Sequence, residues 1–193
     1  RRELGMGSRC PFDSDELVFS SCQPVFSVSE CCAIRDEAAA HIAKGSKSTF
    51  TMTDTNRDVA VHELPETLAW LNTNGLARIA SLAACCFPSV IDNPASLWVY
   101  RALIINYDAV AGLTHQPVHR DGALVSCTVA LSERSEYAGG GTWIEPLGQA
   151  IALECGHALL HPSSLRHAGN RITTGERWIL VLFLNVEKMH YGE

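Results

Sequence analysis

The chain has no basic block. Lys and Arg number 15 against 21 Asp and Glu, a formal net charge of −6. Nucleic acid is a poor partner for it, because phosphate backbones are gripped by clustered Lys and Arg. Long apolar runs are missing too. The longest uninterrupted one is Trp178 to Leu184, whereas a membrane-crossing helix needs about 20 such residues. The eight cysteines contain no Cys-x-x-Cys pair, which argues against a zinc cluster, and they are too sparse for a disulfide-built scaffold. There is no Asn-x-Ser/Thr acceptor, a lean toward a reducing compartment. No internal repeat or low-complexity tract is present. The chain opens Arg1-Arg2-Glu3, without Met or an apolar signal core, and so reads as a domain cut from a longer chain.

What is present fits one globular domain. Apolar residues make up 47% of the 193 and charged residues 19%, enough for a substantial core. The first 28 or so residues mix Gly, Ser and Pro and read as irregular; Cys10 and Cys22 flank an irregular segment and could form a disulfide, with free thiols as the other reading. Ser27 and Glu30 then have capping-box spacing, and an apolar stripe of Cys32, Ile34, Ala38, Ala39 and Ile42 predicts a helix that stops at Gly45. Residues 46–62 read as polar loop with a short strand near Phe50 to Thr53. Pro65 suits the first position of a second helix running to Cys86, which Asn74-Gly75 divides. From Leu97 the texture changes to Val, Ile, Leu and aromatic runs punctuated by Gly, Pro and Asn. Strands are predicted at 97–107, 117–119, 123–131, 142–145, 149–154, 157–161 and 177–186. Helices followed by many short strands argue for an α+β chain, mainly β, with a barrel or sandwich core. Cys85, Cys86, Cys127 and Cys155 fall in apolar patterns and read as small buried hydrophobes.

Three residue groups carry chemistry. In His119-Arg120-Asp121 the outer two residues share a face of an extended strand, and so can offer a nitrogen and a carboxylate oxygen to one ion. Alone this is a common tripeptide and equally a surface pair. His167 supplies a second imidazole. Two His and one carboxylate on one side of a metal leave the other side open, which suits non-haem Fe(II). Arg177 opens the apolar strand ten residues later. An Arg aimed into a core needs an anion, and a guanidinium grips a carboxylate through two parallel hydrogen bonds; the other possibility is that it faces solvent or pairs with Glu176 or Glu187.

Taken in order, His119-x-Asp121, the hairpin Tyr137-Ala138-Gly139-Gly140-Gly141-Thr142-Trp143, His167-Ala168-Gly169-Asn170-Arg171 and Arg177-Trp178-Ile179-Leu180 resemble the 2-oxoglutarate- and Fe(II)-dependent dioxygenases. The nearest likeness is to the prolyl 4-hydroxylase-like branch, which includes the lysyl hydroxylases, over residues 97–186. The resemblance implies a double-stranded β-helix, a jelly-roll barrel, in one domain: an irregular segment 1–28, supporting helices 29–96 and a jelly-roll core 97–186. It implies His119, Asp121 and His167 as the iron ligands and Arg177 as the grip on the distal carboxylate of 2-oxoglutarate. It implies Tyr107 as a second contact to that carboxylate, with Thr142 a further candidate; either is equally an ordinary core residue. The implied activity is hydroxylation of a C–H bond on a protein or peptide side chain, with O2 consumed, succinate and CO2 as co-products, and ascorbate as a possible reductant.

Several rivals stand beside this. His157 and His161 are four apart and share a strand face, and His161 precedes Arg171 by the same ten residues. His167 is preferred because Gly175 places Arg177 at the start of the apolar strand, while Arg171 sits in a polar turn. His115 lies in a loop near the expected mouth; His41, His62 and His190 read as surface residues. Other readings are a hydroxylase of a free amino acid or other small molecule, a cupin-like or zinc enzyme, and a jelly-roll binding module. A nucleic-acid demethylase is disfavoured, since Phe183 follows Arg177 where those enzymes carry a second Arg. Substrate choice is expected in loops 46–62, 108–118 and 132–141.

Overall fold

A computed structural model describes residues 12–13, 17–45 and 57–187. Helix α1 (Val28–Ala43) begins at the expected capping box: Ser27 Oγ accepts from the Glu30 N–H, and Glu30 accepts from the Ser27 N–H. Gly45, at φ +83°, follows its end. Of the Cys31-Cys32 pair it is Cys31 that is buried. Helix α2 (Pro65–Trp70) starts on its proline and runs through a wide π turn (Leu71–Gly75) into α3 (Leu76–Cys86). Asn74-Gly75 therefore widens the helix rather than dividing it. A Cβ at Gly75 would stand 2.7 Å from the Leu71 side chain, so a larger residue there would make that side chain shift.

Eleven strands are described. β1 (Phe19–Ser20), β2 (Arg57–Ala60), β3 (Leu97–Asp108), β5 (Val125–Ala130), β9 (Ala158–Pro162) and β11 (Ile172–Val186) form one antiparallel sheet in the order β1-β9-β5-β11-β3-β2, with β6 (Tyr137–Gly139) on the early part of β11. β4 (Gln116–His119), β10 (His167–Gly169), β7 (Thr142–Ile144) and β8 (Gln149–Ile151) form a second, in the order β4-β10-β7-β8. The expected fold class, mainly β with N-terminal helices, holds. The sheets are separate antiparallel ladders, not one closed barrel ladder.

Four expectations need correction. Residues 57–60, taken for loop, are strand β2, because Asp58, Val59 and Ala60 are buried against the middle of β3; pairing overrides a polar composition. β1 and the buried Phe12 and Phe26 tie part of the irregular N-terminal segment into the core. The last strand begins at Ile172, with Gly175 inside it. Cys85 is exposed, while Cys127 and Cys155 are buried as expected. The strand expected near Phe50, Cys10 and His190 lie outside the described residues.

The pleat of the larger sheet decides which residues meet the site. On β11, Leu180, Leu182 and Leu184 pack in the main core with Ile79, Ala83 and Phe87 of the helical layer. Ile179 and Val181, of the opposite parity, pack with Leu103, Ile105 and Tyr107 in a second cluster. Arg177 shares their parity and is opposite Tyr107 across the β11–β3 ladder. On β5, likewise, Val125, Cys127 and Val129 belong to the main core, which leaves Ser126, Thr128 and Ala130 on the other face. Among the described residues, no helix is long and apolar enough to cross a membrane.

Candidate active site

His119 ends β4 and is the direct cross-strand partner of His167 on β10. This register brings two residues 48 positions apart side by side, their ring centroids 4.3 Å apart. Asp121 follows β4 after one residue and turns its carboxylate to both rings. Oδ1 lies 3.3 Å from His119 Nε2 and Oδ2 lies 3.3 Å from His167 Nε2. One donor atom from each residue falls within 4.8 Å of the others.

The far side of each ring is anchored. His119 Nδ1 is 2.8 Å from the Pro117 carbonyl and His167 Nδ1 is 3.0 Å from the Leu165 carbonyl. A carbonyl only accepts, so each Nδ1 carries the proton and each neutral ring keeps its Nε2 lone pair for the shared space. Burial alone would lower the His119 pKa, but the Asp121 carboxylate and the Pro117 carbonyl hold it above the usual value. Burial would raise Asp121; the facing His119 and His167 rings and the Ser126 hydroxyl outweigh it and hold the carboxyl far below the ordinary range. Two neutral imidazole nitrogens and an ionised carboxylate on one side of a common space suit a divalent metal such as Fe(II).

Arg177 is 3% exposed, and its Nη1 has no hydrogen-bond partner. Its guanidinium carbon lies 5.2 Å from the centroid of the Tyr107 ring. The Tyr107 hydroxyl is also buried and unpartnered. Burial raises the phenol's pKa against the pull of the Arg177 charge. Leaving a buried cation unpaired costs several kcal/mol. A carboxylate oxygen is the kind of acceptor that either donor lacks. Gly169, two residues past His167, makes room for Tyr107: a Cβ there would stand 2.2 Å from the hydroxyl.

One cavity joins the donor group to Tyr107, while Arg177 stands beside Tyr107 and off the cavity lining. His119, Asp121 and His167 line the cavity together with Tyr107, Thr142 and Gly169. Its aliphatic wall is Leu103, Ile105, Ile179 and Val181, with Phe183 and Asp58 also on the lining. Thr142 is buried and pairs with Gly169 across β7 and β10.

The rival residues fall elsewhere. His161 is fully buried with its ring 4.4 Å from that of His167, yet it is outside the three-residue donor group. Its Nδ1 is 2.9 Å from the Pro162 carbonyl, and burial lowers its pKa to about 4, so it is a neutral backing for His167. Arg171 is spent on the Thr114 hydroxyl at 2.6 Å. His115 lines a different, open depression beside Trp143 and Arg171. His41 is not a bare surface residue but faces Glu63 at 3.0 Å. Sequence reasoning overlooked Ser126 and Ser163, which contact Asp121; a serine in an apolar strand and another just past one carry no motif.

No family model matches the chain. A PKHD-type hydroxylase of Polaromonas sp. is 31% identical over 145 residues, covering 67% of this chain and 59% of that protein. The chain thus spans a little under three fifths of that relative's length. The viral collagen prolyl hydroxylase of Paramecium bursaria Chlorella virus-1, solved with 2-oxoglutarate, superposes with a TM-score of 0.62 at 15% identity, over 94% of this chain and all of that one. The α-ketoglutarate-dependent epimerase SnoN of nogalamycin biosynthesis superposes with a TM-score of 0.68 at 15% identity, over 94% of this chain and 83% of that one. At such identities the structural likenesses speak for the fold, and the hydroxylase relative speaks for the branch. The chain belongs to the 2-oxoglutarate- and Fe(II)-dependent oxygenases, in their prolyl 4-hydroxylase-like branch.

Proposed function

We propose that the chain is a single catalytic domain that hydroxylates a C–H bond on a protein or peptide side chain, using Fe(II), 2-oxoglutarate and O2. The carrying observation is the meeting, in one cavity, of the His119–Asp121–His167 donor group with the unpartnered Tyr107 hydroxyl, backed by the unpartnered Arg177. In this reading the two sheets are the halves of a jelly roll, residues 97–186 are its core, and the helices brace the larger sheet.

His119 and His167 hold iron through Nε2 and Asp121 through a carboxylate oxygen. Arg177 binds the distal carboxylate of 2-oxoglutarate through its fork of N–H donors. The Tyr107 hydroxyl would donate to the same group, and Thr142, on the same cavity lining, would be a further contact. Bound iron and 2-oxoglutarate supply the oxygen chemistry, with succinate and CO2 as co-products. The aliphatic wall of Leu103, Ile105, Ile179 and Val181 keeps water from the cosubstrate and orients its chain. The peptide part of the reading rests on the branch, whose named relatives include a collagen prolyl hydroxylase.

Anaerobic titration of the apoprotein with Fe(II) and then 2-oxoglutarate tests the reading. A visible charge-transfer band that needs both additions, and is missing in His119→Ala, is expected. Metal binding without a band would move the assignment to a cupin-like or zinc enzyme, and no metal binding to a binding module. A screen scored by succinate release follows. Release with free amino acids and none with peptides would replace the peptide substrate by a small one.

A further inference from the structure

We propose that Ser126, oriented by Ser163, is a positioning residue that holds Asp121 to the metal through one oxygen and so keeps a coordination position open for 2-oxoglutarate or O2. This rests on Asp121 being a ligand.

Ser126 sits on β5, on the face of the larger sheet turned away from the main core, and is 1% exposed; Ser163, just past β9, is fully buried. Ser126 Oγ lies 2.5 Å from Asp121 Oδ2 and 2.8 Å from Ser163 Oγ. An ionised carboxylate can only accept. The one hydroxyl hydrogen of Ser126 therefore goes to Asp121, and Ser163 must donate to Ser126. That gives the chain of hydrogen bonds a direction, ending on Oδ2.

Ser163 also grips the backbone of the same residue, its carbonyl accepting from the Asp121 N–H at 3.0 Å. The Ser163 N–H in turn donates to the Leu124 carbonyl at 3.0 Å. Main chain and carboxylate of Asp121 are thus tied to one pair of serines. Burying hydroxyl groups is unfavourable unless they are bonded, and here their bonds converge on the carboxylate. With Oδ2 committed to a donor, Oδ1 is the better metal donor. A carboxylate free to rotate can bind a metal through both oxygens and occupy one position more. Outer hydrogen-bond partners of this kind typically contribute 10- to 100-fold in metal affinity.

The test is titration of the apoprotein with Co(II), read by visible absorbance, and then with 2-oxoglutarate. Ser126→Ala should bind Co(II) roughly 10- to 100-fold more weakly. Its bands should move toward those of a higher coordination number, and 2-oxoglutarate should bind its Co(II) form less tightly. Ser126→Thr, which keeps the hydroxyl, should restore the wild-type bands. Ser163→Ala should give the same change in smaller degree and serves if Ser126→Ala does not fold. Wild-type affinity and bands in Ser126→Ala, with binding lost in Asp121→Ala, would overturn the positioning role and leave the ligand reading standing. So would a Thr variant no better than Ala. Unchanged binding in Asp121→Ala would instead overturn the ligand reading itself.

Discussion

Arg177 and Tyr107 hold two of the unpartnered buried polar atoms of the fold. Each is unfavourable as it stands, and each becomes useful only when an anion arrives. This gives opposite signs for stability and binding. Arg177→Met removes the charge and keeps most of the volume. It should leave the melting temperature of the apoprotein unchanged or raised, because an unpaired buried cation is removed. Metal affinity should be retained and 2-oxoglutarate affinity should fall by about two orders of magnitude, the order expected for losing charge-assisted hydrogen bonds of about 1.5–3 kcal/mol. Calorimetric titration of the metal-loaded variant checks it. A loss of metal binding with intact cosubstrate affinity would refute the assignment. The importance of Arg177 was legible from spacing, because its neighbours form an apolar strand whose parity also sets its direction. The role of Tyr107 was less legible: its hydroxyl matters because of Gly169, 62 positions away.

At the scale of elements, β11 is the axis of the molecule. It pairs with β3 along most of its length, with β5 on the other side, and with β6 near its start. Gly175 makes the β6 contact possible. It sits at φ +75°, and a Cβ would stand 1.9 Å from the Glu136 carbonyl oxygen. Gly175→Ala should destabilise the fold by about 2–3 kcal/mol through backbone strain and the clash. For a domain of this size that lowers the melting temperature by roughly 5–10 °C. Thermal unfolding checks this, and a melting temperature within 1–2 °C of wild type, of the order of a surface change, would show that the sheet yields there. The helix start at Ser27 and the strand-rich second half were readable because capping and alternation are local signals. β2, β6 and β10 were not. They are short, and pairing with neighbours distant in sequence decides them rather than their own composition.

At the scale of the whole molecule, the two sheets are held in place by contacts that a bound metal and cosubstrate would strengthen. A ligand that binds only the folded state stabilises it by about 2.7 kcal/mol at a hundredfold excess over Kd. Adding Co(II) and then 2-oxoglutarate should therefore raise the melting temperature by roughly 5–10 °C. A chelator should reverse the shift, and 2-oxoglutarate without metal should give a smaller one. Equal shifts with and without metal would mean that the dicarboxylate binds elsewhere.

The chemical inventory could be read from the chain alone. Two imidazoles, a carboxylate and a guanidinium stand at spacings that carry meaning locally, since His119 and Asp121 share one short segment and Arg177 opens an apolar run. The broad class could be read too, through capping, turn residues and the alternation along the strands. Spacing favoured His167 as the partner of His119, and the fold puts it there. The cross-strand register of β4 and β10 selects His167, and burial leaves His161 as neutral backing. Only the tertiary structure brought Ser126 and Ser163 to Asp121 and Tyr107 to Arg177. Those meetings depend on loop closure between distant strands, and side chains so far apart along the chain leave no periodic trace in it.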